Sequence, residues 1–272
     1  MDIKLIAIDI DGTLVNSRGQ LTPKVKETIK QATAQGIKVV ICTGRPVAGG
    51  RELLAQLDLA DQDDQYVVCF GGAVVETTSG KLIFKKGISY DDFVDLEAIA
   101  RKLNLHFQAI NTERIYTCNK DIGYYTLYEA NLVSMPISYR TPEEMREISL
   151  VKAMYIEDAE ILDPAIAKQE YFEPIKDRLD LMKTAPFYYE AYAKDVNKGN
   201  ALVKLCEILD LTADNVMAIG DEENDISMLK FAGTSVAMGN AVPAVKEVAT
   251  HHTVDNDHDG VAQAIRELAL KK

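Results

Sequence analysis

Near both ends of this chain the apolar residues gather in short, nearly unbroken runs. Between the ends they are interleaved with polar ones. Residues 5–9, 37–43 and 66–70 are runs rich in Val, Ile and Leu, of strand length and apolar enough to be covered on both faces. Helical patterns separate them. Thr22-Pro23 supplies an N-cap and a first helical residue, Val25, Ile29 and Ala32 share one helical face, and Gly36 closes the segment. Leu53, Leu54 and Leu57 mark the next helix. This β-α-β-α-β order predicts a parallel sheet with right-handed crossovers. The pattern returns late in the chain. Val203, Leu205 and Leu209 mark a helix, 216–220 a strand, 226–231 a short helix, 235–238 a strand and 261–270 a closing helix.

The texture differs from about residue 82 to 189. Helices at 90–103 and 159–168 alternate with strands at 106–110, 114–117, 151–156, 179–184 and 187–192, which read as antiparallel. Most of the tyrosines lie here. The expectation is an α/β fold, a Rossmann-like doubly wound parallel sheet. It is formed by residues 1–82 and 190–272, with an α+β domain, 83–189, inserted into it.

In such a sheet ligands bind at the carboxyl ends of the strands, and four such places carry chemistry. Asp9 and Asp11 follow the first strand, with Gly12 behind them. Thr43-Gly44 ends the second. Lys198 opens a helix. Gly220-Asp221 ends a later strand, with Asn224 and Asp225 just beyond. Asp9, Asp11 and Asp221 offer hard oxygen ligands of the kind Mg²⁺ takes together with waters and phosphate oxygens. Two carboxylates ~4 Å apart repel by about 4 kcal/mol at an effective dielectric of 20, so the cluster calls for a divalent cation and for Lys198. Thr43 and Gly44 give a hydroxyl and a close backbone approach to phosphate. Asn224 can donate to a phosphate oxygen, and Asp225 can orient Lys198 or the metal's water ligands. The reaction this suggests has two steps. Asp9 attacks phosphorus to form an aspartyl-phosphate; Asp11 protonates the leaving oxygen and then takes a proton from the attacking water.

These residues resemble the haloacid dehalogenase superfamily. Asp9-Ile-Asp-Gly-Thr13 looks like its D-x-D-G-T motif, Thr43-Gly-Arg45 its second motif, Lys198 its third, and Gly220-Asp-Glu-Glu-Asn-Asp225 its G-D-x-x-N-D motif. Ala237-Met-Gly-Asn-Ala241, Asn256-Asp-His-Asp-Gly-Val261 and the position of the insert are similar to the Cof-type subfamily with a type-IIB cap. Residues 82–92 and 119–126 look like the YidA-like sugar phosphatases. The resemblance implies Mg²⁺-dependent hydrolysis of small phosphate monoesters, commonly sugar phosphates. It carries over Asp9, the Ile10 backbone, Asp11, Thr43, Gly44, Lys198, Asp221 and Asn224 as metal or phosphate ligands, with the metal contact of Asp11 through its backbone carbonyl. One departure stands out: Gly71-Gly72-Ala73 replaces the subfamily's Asn-Gly-Ala, which puts the leaving-group preference in question.

Composition narrows the partners. A net charge of −12 leaves no broad basic face, which argues against nucleic acid. No apolar run approaches the ~20 residues of a membrane helix, and the start of the chain lacks the basic-then-apolar pattern of a secretory signal. The reading is a cytoplasmic enzyme acting on small phosphorylated metabolites. Cys42, Cys69, Cys118 and Cys206 are too scattered for a metal or redox motif and read as packing. Arg45 either touches substrate or sits in the helix's first turn, and the second is the preferred reading. His251 and His252, adjacent on a strand, point to opposite faces and do not pair on a metal. Of Tyr124 and Tyr125, one is expected in the inserted domain's core. Two alternatives share the chemistry. A phosphomutase would keep the aspartyl-phosphate but shield it from water. A phospho-aspartate signalling switch would need neither this length nor the insert.

Overall fold

A computed structural model describes residues 2–270. The first segment runs β1 (Leu5–Ile8), α1 (Pro23–Ala34), β2 (Lys38–Cys42), α2 (Arg51–Gln56), β3 (Tyr66–Cys69), β4 (Val74–Thr77) and β5 (Leu82–Lys85). The inserted segment follows: α3 (Tyr90–Leu103), β6 (Phe107–Ile110), β7 (Ile115–Thr117), α4 (Tyr124–Leu132), β8 (Ile137–Tyr139), β9 (Lys152–Ile156), α5 (Ala159–Ile166), β10 (Leu179–Ala185) and β11 (Tyr188–Ala193). The last segment holds α6 (Lys198–Leu209), β12 (Val216–Gly220), α7 (Ile226–Phe231), β13 (Thr234–Ala237), α8 (Pro243–Val248), β14 (His251–His252) and α9 (Gly260–Leu268).

The chain divides into two units, 1–84 with 197–272, and 85–196. The first is built on an eight-stranded sheet ordered β14-β13-β12-β1-β2-β3-β4-β5. Every residue of β1 is buried, as expected for a central strand covered on both faces. β1 pairs in parallel with β2 on one side and β12 on the other, so strand order reverses beside it. That reversal leaves a crevice beyond the carboxyl end of β1. The expected capping of α1 is present: the Thr22 hydroxyl accepts from the Val25 amide at 3.2 Å, while Val25, Ile29 and Ala32 are buried.

The second unit holds a six-stranded sheet ordered β10-β11-β9-β6-β7-β8. One face packs on α3 and α5 around Phe93, Leu96, Phe107, Tyr155, Leu162 and Phe172. Tyr155 is fully buried, and its hydroxyl donates to the Leu96 carbonyl at 3.0 Å. A capping box starts α3: the Ser89 hydroxyl accepts from the Asp92 amide at 3.1 Å, and the Asp92 carboxylate accepts from the Ser89 amide at 3.2 Å.

Three expectations need correction. The second boundary falls at 196/197 rather than 189/190, because β11 pairs with both β9 and β10 and belongs wholly to the insert. The first falls at 84/85, because β4 turns back antiparallel on β3 and the sheet continues through β5. The five strands read as antiparallel pair that way with one another, and β8, which the sequence did not announce, joins β7 in parallel. Tyr124 and Tyr125 open α4, and the expectation that one of them is core fails. Neither is core: Tyr124 is 72% exposed, and the half-buried Tyr125 stacks on Phe187 and donates to the Asp158 carboxylate at 2.7 Å.

Candidate active site

β1 stops at Ile8 and delivers Asp9 to the crevice. The loop after it folds back on itself, with the Leu14 amide donating to the Asp9 carbonyl and the Val15 amide to that of Ile10, both at 3.1 Å. Gly12 makes this possible. Its φ is +79°, and a Cβ there would sit 2.2 Å from Asp221 Oδ2. Ile10 is fully buried, so its side chain does not line the crevice.

The neighbouring strand β12 ends at Gly220, where a Cβ would meet the Asp225 carboxylate at 2.6 Å. Asp225 has no exposed surface. Its Oδ2 accepts from the amides of Asp221 and Glu222 at 2.9 and 3.1 Å, and its Oδ1 from Lys198 Nζ at 2.6 Å. Lys198 is only 1% exposed. Its ammonium also donates to Asp9 Oδ1 at 2.5 Å and to Asn224 Oδ1 at 3.4 Å. α6 is held in place by two close backbone approaches. A Cβ on Gly72 (φ +108°) would strike the Asn197 carbonyl at 2.2 Å, and one on Gly199 would strike that of Ser227 at 2.4 Å. Asp221 Oδ1 accepts from the Thr13 hydroxyl at 2.6 Å, and its Oδ2 from Asn240 Nδ2 at 3.3 Å.

The carboxylate oxygens of Asp9, Asp221 and Asp225 come within 4.8 Å of one another. Three acids and one ammonium leave an excess of negative charge in a buried place. Burial, reinforced by Asp225 and Asp221 and opposed by Lys198, pushes Asp9 up to about 7. Burial also pushes Asp221 up to about 6, against the hydrogen bond from Thr13. Burial alone would pull Lys198 down; Asp9 and Asp225 outweigh it and hold the ammonium above its ordinary range. Asp225 spends both oxygens on Lys198 and on backbone amides. The cluster therefore offers a cation chiefly Asp9 Oδ2 and the Asp221 carboxylate, a hard-oxygen set that fits Mg²⁺.

Thr43 follows β2 and is buried. Its amide donates to the Val68 carbonyl at 2.8 Å and its hydroxyl accepts from the Arg45 amide at 3.0 Å. Gly44 beside it is exposed, and a Cβ there would touch nothing within 4 Å. Asn224 is also exposed. The structure thus brings Asp9, Lys198, Asp221, Asn224 and Asp225 together. Asp11 stands apart. Its side chain is 59% exposed, outside the acidic cluster, and both its oxygens accept from Arg45: Nε at 3.0 Å and Nη2 at 2.5 Å. Arg45 thus lies in the bend before the helical residues rather than in a first turn, and its guanidinium holds Asp11.

Sequence reasoning also missed Thr13 and Asn240. Thr13 ends the first motif, so its position was a signal. Asn240 also donates to the Gly12 carbonyl at 2.8 Å, and the Asn256 amide donates to Asn240 at 3.2 Å. The two late motifs that contain these asparagines thus fasten the loop after β1. Cys42, buried and with its thiol pushed up by burial, has the surroundings of a packing residue.

The model of haloacid dehalogenase-like hydrolases matches residues 6–265. A protein of Streptococcus pyogenes serotype M6 named "Putative phosphatase" is 44% identical over 272 residues, covering 99% of this chain and all of the relative. The 5-amino-6-(5-phospho-D-ribitylamino)uracil phosphatase YcsE of Bacillus subtilis is 33% identical over 273 residues, covering 99% of this chain and 97% of the relative. The crystal structure of a haloacid dehalogenase-like hydrolase from Bacteroides thetaiotaomicron superposes with a TM-score of 0.86 at 30% identity, covering 98% of this chain and all of that one. The chain belongs to the haloacid dehalogenase-like hydrolase family and is a phosphoric monoester hydrolase within it.

Proposed function

We propose that the protein is a Mg²⁺-dependent phosphatase of small phosphate monoesters, sugar phosphates foremost, that works through an aspartyl-phosphate on Asp9. The observation that carries this reading is the buried Asp9 carboxylate, with one oxygen on Lys198 and Asp221 and Asp225 within 4.8 Å. Mg²⁺, when bound, supplies the positive charge that lets a phosphate dianion lie beside this carboxylate. Lys198 holds Asp9 in one orientation and offsets part of its charge. The Thr43 hydroxyl, the Gly44 and Ile10 backbones and Asn224 form the candidate phosphate cradle. Asp225 keeps Lys198 in place and Thr13 keeps Asp221 in place. Asp11 serves as the proton carrier for the leaving oxygen and then for the attacking water. A relative named for a phosphate at position 5 of a ribityl chain supports a sugar or polyol ester as the substrate class.

The test is release of inorganic phosphate from a hexose phosphate with Mg²⁺ and with EDTA, for the wild type and for Asp9→Asn. Activity is expected only with the metal, and the substitution is expected to reduce it at least a thousandfold. Retention of most activity in Asp9→Asn would refute the nucleophile assignment. An isomeric phosphate ester in place of free phosphate would indicate a mutase.

A further inference from the structure

Asp11 cannot serve its assigned role in the arrangement seen. Both carboxylate oxygens accept hydrogen bonds from one guanidinium, Nε to Oδ2 and Nη2 to Oδ1. A carboxylate forked in this way has no oxygen turned to a leaving group. The pair is half exposed on each side, 44% for Arg45 and 59% for Asp11, so exchange of partners is easy. Arg45 is also tied to the candidate phosphate cradle, its amide donating to the Thr43 hydroxyl at 3.0 Å. A phosphate ester arriving beside Thr43 and Gly44 brings a dianion into competition for the same guanidinium. The planar fork of Arg accepts a phosphate as readily as a carboxylate.

Building on the reading above, we propose that Arg45 is a positioning residue for Asp11. It holds the Asp11 carboxylate in a resting place and releases it to the leaving oxygen when the phosphate of a bound ester takes over the guanidinium. Two consequences follow. Arg45 contributes to binding of any phosphate ester, and its further effect, confined to leaving groups that need a proton, runs through Asp11.

The test uses the full chain with Mg²⁺ and two esters, glucose 6-phosphate, whose alkoxide needs a proton on leaving, and p-nitrophenyl phosphate, whose phenolate does not. The readout is the ratio of kcat on the sugar ester to kcat on the aryl ester. In Arg45→Gln this ratio is expected to fall tenfold or more, while KM rises by a similar factor for both esters. Arg45→Lys, which keeps the charge but not the fork, should recover part of the ratio. In an Asp11→Asn background, adding Arg45→Gln should lower the ratio no further. A ratio unchanged in Arg45→Gln, or an equal further drop in the Asp11→Asn background, overturns the inference and leaves the phosphatase reading intact. A ratio unaffected by Asp11→Asn itself overturns the role of Asp11, and the inference falls with it.

Discussion

Burial raises Asp9 to about 7 and Asp221 to about 6, so without a cation each takes up a proton more readily than an ordinary carboxyl. Without metal, the folded protein binds protons at these two groups that the unfolded chain, with ordinary carboxyls, releases above about pH 4. Raised carboxyl values mean that metal-free stability falls as pH rises through the window from about 4 to 7. Mg²⁺ affinity has the opposite slope, since each bound proton must leave first. Affinity is expected to weaken progressively below pH 7. The Mg²⁺-induced rise in melting temperature, compared at pH 5.5 and 7.5, checks this; equal shifts at both would count against it. Gly71 is a second residue with a local consequence. Its φ of +66° lies in the left-handed region, where Asn is tolerated better than most residues. Gly71→Asn is therefore expected to fold normally, within about 1 kcal/mol of the wild type, and to reorder kcat/KM across a panel of phosphate esters. An unchanged order would remove position 71 from specificity.

Elements differ in how much of themselves they disclose in sequence. α1, α3, β1, β2, β9 and β12 were legible because burial sets their patterns: one apolar stripe on a capped helix, or an unbroken apolar run in a central strand. α4 was not. Tyr124, Leu127, Tyr128 and Leu132 are all exposed on it while Glu129 is buried, so its polarity runs against the usual rule. The β4–β5 hairpin was hidden by the polar turn Thr77-Thr-Ser-Gly80, which reads equally well as the start of a loop. In the site, residues whose role is set by near neighbours in sequence were legible: Asp9, Lys198 and Asp221 all sit at element ends. Arg45 and Asn240 act on loops 34 and 228 residues away, and no local pattern announces such a partner. α3 has the sharpest sequence signature and gives the element-scale prediction. Ser89→Ala removes the cap of the Asp92 amide and should lower stability by about 1 kcal/mol in denaturant titration.

At the scale of the molecule, each of the two units has its own core. Tyr155 centres the inserted one, with ring contacts to Phe107, Phe172 and Tyr189 at 5.5, 5.8 and 6.2 Å. Tyr155→Ala should lower the stability of that unit by about 3–5 kcal/mol. Asp9, Lys198, Asp221 and Asp225 all belong to the other unit. Mg²⁺ affinity, measured by calorimetry under native conditions, is therefore expected to match the wild type. A parallel loss would show that the units do not act separately.

The strand order also has a consequence for the chain while it is being made. β1 lies between β2 and β12, and the 112 residues from 85 to 196 must be synthesised before β12 begins. Counting all 207 residues from 9 to 215, at about 5–20 residues per second, the β12-facing edge of the central strand stays unpaired for roughly 10–41 s. Every strand and helix of the insert is synthesised before either Lys198 or Asp221 is added to the chain. A truncated product ending within the insert would carry Asp9 without Lys198 and without Asp221, and an apolar strand edge open to pairing with another nascent chain.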